Sequence, residues 1–393
     1  MFKNKKRAVV FVVMVLILLG LLVKQSIEEL TINKFGHFVK GPEFNDKKGI
    51  FNSYMTNTAL LSNGKVVIFG SYSDGTKSIR HKSEIYDPKT NTLEVIDILP
   101  DKDWQYAGIT LGNQVLLSVG SKKSNPDILY DIKKNKITKN FGPVIGTPFA
   151  VINNRFIINY YTKYCTKNHG STYQISKFDI ITEKSEDIIK VQGSLLPQDP
   201  AAYAVFDKDR IFFYSGYPYI LNIKNKTLEQ LKTGIIRRNP VLVKLNNSDI
   251  LILGGRSESR SDFHLNCNTT AEIFDSKTLK FKPAGQMTMP RCSLFSSGFS
   301  ATLMNDGRVL IAGGHNYRNN YIFSFSGPKI LKSTEIYDPK TNTFTQSANL
   351  KIARVKPHMI LLKNGDIFVH NGSNWLDGFY NKTTEIFKIK ISM

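Results

Sequence analysis

Cysteine is scarce in this chain, with three in 393 residues: Cys165, Cys267 and Cys292. So few thiols exclude a disulfide-built scaffold and any zinc site of four thiolates, and they leave room for one intrachain bridge at most. Negative charge is also short, because 32 Asp+Glu face 53 Lys+Arg and leave a formal net charge of +21. No GxGxxG, P-loop or GxSxG pattern occurs, which removes nucleotide-dependent and serine-hydrolase chemistry. The seven histidines show no HxxxH or HxH spacing that would preorganise a metal, so no metal or cofactor is expected. Helical periodicity is missing after Val23. Apolar bulk is plentiful, since 25 Phe and 17 Tyr supply the core area that disordered chains lack.

The one long hydrophobic run lies near the start. Lys3, Lys5, Lys6 and Arg7 precede Ala8–Val23, sixteen apolar residues between the lengths of a signal-peptide core and a spanning helix. No small-residue cleavage pattern follows, which favours an uncleaved signal anchor over secretion after signal cleavage or a buried core helix. The basic cluster ahead of the run places residues 1–7 in the cytoplasm, 8–23 in the membrane, 24–36 as a tether and 37–393 outside the cytoplasm.

The rest of the chain repeats. STEIYDPKTNTF (333–344), SEIYDPKTNTL (83–93) and AEIFDSKTLKF (271–281) each join two β runs through an Asp-led polar turn. Weaker copies occur at 128–137, 176–186, 219–229 and 384–390. Upstream of each lies a hairpin signal such as NGKVVIFG, NSDILILGG or DGRVLIAGG. The period is about 50 residues. Four short strands per unit imply antiparallel blades arranged radially, which hides both faces of each sheet and protects its edges. The expected fold is all-β, a seven-bladed propeller behind one transmembrane helix, with six blades as the alternative count. The last copy, TEIFKIKISM, lacks an outer strand, and His37–Phe44 (HFVKGPEF) is the segment expected to supply it.

Residues 289–344, MPRCSLFSSGFSATLMNDGRVLIAGGH followed by STEIYDPKTNTF, resemble a bacterial kelch motif of the kind found in the galactose oxidase propeller. The resemblance is strong in blades 1, 5, 6 and 7 and faint in blades 3 and 4, where Asn159-Tyr160 and Ser215-Gly216 replace Gly-Gly. Galactose oxidase chemistry would by resemblance need a Tyr-His dipeptide, a Cys-Tyr crosslink and a further domain. No Tyr-His pair is present, so copper-radical oxidation is disfavoured. Sialic-acid mutarotases are also kelch-type propellers, which keeps an extracytoplasmic sugar mutarotase or epimerase as the rival reading, although no catalytic residue can be assigned.

Antiparallel order separates two faces. One carries tight turns such as DPKTNT and NDGR. The other carries long aromatic loops, including 160–173, 254–267, 315–329 and 374–380, where ligand recognition is expected. The candidate ligand residues are Arg237, Arg256, Arg291, His315, Tyr317, Arg354, Trp375 and Tyr380. Arginines beside a propeller axis could grip a carboxylate or phosphate, or could instead bond blade carbonyls, as arginines in kelch-type blades commonly do. Cys267 and Cys292 enter the same face and are candidates for a bridge. Outside a membrane, the positive charge points to a protein, an anionic glycan or an envelope polymer rather than nucleic acid. The expected role is a membrane-anchored binding module.

Overall fold

The computed structural model describes residues 14–15, 32–45, 50–51, 57–69, 72–73, 79–80, 83–96, 107–118, 127–131, 133–134, 136–141, 147–165, 170–192, 203–232, 235–256, 267–292, 298–316, 329–374, 379–380 and 383–390. They form seven four-stranded antiparallel sheets. From the axis outward, blade 1 is Asn57–Leu60, Val66–Phe69, Ser83–Asp87 and Thr92–Ile96, and blade 2 is Ala107–Leu111, Gln114–Ser118, Ile128–Asp131 and Lys136–Asn140. Blade 3 is Thr147–Ile152, Phe156–Cys165, Gly170–Asp179 and Lys184–Gln192, and blade 4 is Tyr203–Val205, Arg210–Ser215, Tyr217–Asn222 and Thr227–Gln230. Blade 5 is Val241–Lys244, Ile250–Leu253, Thr270–Asp275 and Lys280–Gln286, and blade 6 is Ser300–Leu303, Val309–Ala312, Thr334–Asp338 and Thr343–Ser347. Blade 7 runs His358–Leu361, Ile367–His370 and Thr383–Ile389, and its outer strand is Gly36–Glu43 from the other end of the chain. Each inner strand touches those of both neighbouring blades, so the ring closes.

The strand sequences explain the packing. Side chains alternate between the two sheet faces, and in a radial stack both faces are covered. The second strands of blades 1, 5 and 6 are therefore apolar throughout, VVIF, ILIL and VLIA, all buried. In blade 5, Ile250 and Ile252 enter the cluster shared with Phe212 and Ile220 of blade 4. Leu251 and Leu253 enter the one shared with Val309 and Ile311 of blade 6. Among the described residues, one such cluster fills each of the seven seams.

The Asp-led turns are legible atom by atom. In blade 6, Lys340 N donates to Asp338 Oδ1 at 2.9 Å, Asn342 takes φ 56°, and Tyr337 OH donates to Asn342 Oδ1 at 2.8 Å. Blade 1 repeats this with Lys89 N on Asp87 at 2.9 Å, Asn91 at φ 55° and Tyr86 OH on Asn91 at 3.2 Å. Asn tolerates the left-handed conformation that ends such a turn.

Closure uses the segment expected from the missing strand. Gly36 pairs with Ile389 and Glu43 with Thr383, and Phe38, 2% exposed, meets the Phe387 ring at 4.9 Å. The membrane segment Ala8–Val23 lies outside the described residues except for Met14 and Val15, which are helical. Among the described residues, no helix is long and apolar enough to cross a membrane.

Candidate functional site

The two faces differ as their connections do. On one lie the turns between first and second strands and, in blades 1 to 6, between third and fourth. On the other, the connections rise into further structure. Short two-residue strands pair at His315–Asn316 with Lys329–Ile330 and at Ser373–Asn374 with Phe379–Tyr380. Ile50–Phe51, Tyr72–Ser73 and Ile79–Arg80 form a third small sheet over blade 1. In blade 3 the hairpin Phe156–Cys165/Gly170–Asp179 continues unbroken for ten residues per strand, with Tyr161 exposed and Tyr160 packed on Tyr173 at 5.7 Å.

In blades 5 and 6 a glycine pair follows the second strand. In blade 6, Gly313 and Gly314 take φ 73° and 108°, and a Cβ on Gly313 would stand 2.5 Å from the Arg354 carbonyl oxygen. Only glycine fits that crossing, where the linker into the next blade passes over. In blade 3 the pairing register puts Tyr161-Thr162 at that position, two residues beyond the expected Asn159-Tyr160, and the strand runs on as the tall hairpin.

That crossing linker delivers an arginine into blades 5, 6 and 7. Arg291 is fully buried; its Nε and Nη2 donate to Glu335 at 3.1 and 2.9 Å, and its Nη1 donates to the carbonyls of Gly313 and Ser333 at 2.6 and 2.9 Å. Arg354 repeats this on Glu385 at 3.1 Å and the Asn371 carbonyl at 2.6 Å. Arg237 does so on Glu272 at 3.2 Å and the Gly254 and Thr270 carbonyls at 2.8 Å. Burial lowers the pKa of all three guanidinium groups, and the facing glutamates oppose that shift. Two of the glutamates also accept backbone N–H groups from the linker, Thr288 and Met289 on Glu335 and Lys351 and Ile352 on Glu385. The ion pair thus ties the linker to the blade that it enters. Of the two roles open to Arg237, Arg291 and Arg354, the geometry supports the structural one and withdraws them from a ligand. The glutamate partners were not among the candidates, although the repeated Glu of AEIFD, TEIYD and TEIFK marks them. Blade 1 keeps the glutamate, where Glu84 accepts Asn45 N at 3.2 Å.

Across blades 4 to 6 a backbone belt crosses the loop face. Gly216 bridges Arg237, Arg238 bridges Arg256, Arg256 bridges Cys267, and Cys292 bridges His315. Cys267 and Cys292 are joined by a disulfide, with Cα atoms 5.2 Å apart, which links the two halves of the belt. His315 belongs to this belt and is 3% exposed; burial lowers its pKa to about 4, so it is neutral at pH 7 and is not a surface cation. Arg256 is half-buried. Tyr317 and Trp375 lie outside the described residues, and only the backbone of Tyr380 is described. Among the described residues no cluster of His, Cys, Asp and Glu could hold a metal.

At the inner rim, fully buried His370 stacks on His358 at 5.3 Å, and its Nε2 shares a 2.8 Å hydrogen bond with Thr58 Oγ1 of blade 1. Burial, and after it the neighbouring His358, drives its pKa well below the ordinary histidine value.

A kelch motif model matches residues 298–351, which span blade 6 and the linker beyond it. No curated protein matches the chain in sequence. Among solved structures, a fungal alcohol oxidase of the AA5 family, determined in complex with copper, superposes with a TM-score of 0.62 at 13% identity. The match covers 91% of this chain and 76% of that one, and at this identity it shows the shared fold alone.

Proposed function

We propose that this kelch-repeat β-propeller is a binding module held outside the cytoplasm by Ala8–Val23, and that its long-loop face recognises an anionic glycan, an envelope polymer or a protein. Kelch propellers are commonly interaction modules. The observation that carries the reading is the asymmetry of the two faces. Paired extensions and the tall blade 3 hairpin rise on one face only, over a base fixed by the disulfide and the buried Arg–Glu pairs. Variable loops on a rigid ring are how repeat scaffolds present a recognition surface. Within that surface, Arg256, Tyr317, Trp375 and Tyr380 remain the ligand candidates, whereas the three buried arginines shape the base beneath them.

The test is a binding screen of the full chain in lipid nanodiscs against glycans, envelope polymers and envelope proteins, repeated with Trp375→Ala and Arg256→Ala. Binding to an acidic polymer or a protein that weakens in either variant, with melting temperature unchanged, supports the reading. A ligand whose affinity is indifferent to the loop-face variants overturns it.

A further inference from the structure

This inference rests on the proposed reading that Ala8–Val23 lies in a membrane. The outer strand of blade 7 enters the ring from the tight-turn face, since Gly36 pairs with Ile389 at that end and Glu43 with Thr383 at the other. The segment just before it is pinned to the same face. Lys390 N donates to the Phe35 carbonyl at 3.0 Å, and the Arg308 guanidinium, in a tight turn of blade 6, lies 4.6 Å from the centre of the Phe35 ring. Ile32 packs on the cluster between blades 6 and 7. Residues 24–31 separate this anchor point from the apolar run, and fully extended they span about 30 Å at most. A ring tethered at its tight-turn face by so short a chain keeps that face toward the bilayer.

The chemistry of the face agrees. Each blade carries an exposed lysine just beyond its third strand at this face: Lys89, Lys133, Lys224, Lys277 and Lys340 in the turns, Lys184 at the start of the fourth strand of blade 3, and Lys390 in blade 7. None of the seven forms an ion pair with a described residue. The aspartates that open four of these turns, Asp87, Asp131, Asp275 and Asp338, spend a carboxylate oxygen on the backbone N–H two residues on. At the tip of the blade 3 turn stands Ile181, 65% exposed, beside Lys184. A rim of lysines with a projecting isoleucine suits an anionic bilayer surface, where each cation near the headgroups gains about 1 kcal/mol and an apolar side chain enters the acyl boundary.

We infer that the tight-turn face is the surface on which this propeller meets an anionic membrane, so that its long-loop face points away from the bilayer. The experiment is amine-reactive labelling with mass mapping of the full chain in nanodiscs of phosphatidylcholine alone or mixed with phosphatidylglycerol. In the anionic discs the seven rim lysines lose about fivefold in labelling rate, the occupancy that 1 kcal/mol per lysine gives. The loss reverses in high salt, while Lys232, Lys329 and Lys351 of the loop face label equally in both discs. A chain that fails to float with the discs overturns the membrane anchor and this orientation with it. A chain that inserts but labels its rim lysines equally in both discs, or protects the loop-face lysines instead, overturns the orientation and leaves the anchor standing. Protection that ignores lipid charge and grows with protein concentration assigns the face to a second copy of the chain and overturns the lipid assignment.

Discussion

Replacing Arg291 by Ala removes five hydrogen bonds from a site with no access to water, and it leaves the Glu335 carboxylate facing the vacated volume. Breaking a buried ion pair by deleting one partner costs about 3–5 kcal/mol, because the remaining charge keeps its desolvation penalty without its counter-ion. Unfolding entropy near 2.1 cal/mol/K per residue over roughly 350 propeller residues gives about 0.74 kcal/mol/K, so the melting temperature should fall by about 4–7 °C. The double replacement Arg291→Met with Glu335→Leu removes both charges and should recover most of that loss, since a buried pair exchanged for apolar groups is often close to neutral. Differential scanning calorimetry of the wild type, the two single variants and the double variant closes a double-mutant cycle with a coupling near the upper end of measured values. The same variants are then carried through ligand binding. A melting temperature within 1 °C of wild type for Arg291→Ala, accompanied by lost affinity, would return the arginine to the ligand site and refute the structural assignment.

Truncation to residue 45 removes the outer strand of blade 7 and leaves Thr383–Ile389 as an open edge, so this form should lose its cooperative melt while a form beginning at residue 32 keeps it; equal melts refute the closure. Replacing Cys267 and Cys292 together by Ser opens a link spanning 25 residues and should lower stability by about 3 kcal/mol, with denaturant midpoints as the readout; non-reducing mass maps showing three free thiols contradict the bridge. Histidines with folded-state pKa values below their unfolded values cost nothing above the unfolded value near 6.5 and destabilise progressively below it, because the unfolded chain then binds protons that the folded chain refuses. The urea midpoint should therefore fall from pH 6.5 toward pH 4, and His315→Gln should flatten the slope; a midpoint constant over that window refutes the burial of neutral imidazole.

Blade type was legible because its devices are local. The Asp-led turn, the continuously apolar second strand and the glycine pair each sit within a dozen residues, and each maps onto a defined backbone conformation. Closure was legible from a shortfall, a seventh copy ending at its third strand. The Arg–Glu pairs were half legible. Arg237 and Arg354 stand at the same distance before their inner strands, but Arg291 lies further ahead of Ser300, and a glutamate inside a strand reads as solvated until its neighbour blade is in place. The two-residue strands of the loop face left no signal, since a pattern of period two needs more than two residues to show.

A weak repeat and the tallest hairpin of the loop face coincide in blade 3. Blades 5, 6 and 7 keep the carboxylate, and in them the linker arginine bonds a carbonyl at the end of the second strand. In blades 2, 3 and 4 the glutamate position is Ile128, Ser176 or Tyr219, so no carboxylate waits there for a linker cation. Without that carboxylate, blade 3 extends both middle strands to ten residues and exposes Tyr161. Blade 3 thus lacks a seam-locking device and gains height above the loop face, whereas blades 6 and 7 keep theirs and carry two-residue strand pairs there. A graft that places Gly-Gly at 161–162 should shorten the hairpin by ending its second strand at residue 160, measurable as lost amide protection across 163–165, whereas unchanged protection there would show that the glycine pair does not set the strand length.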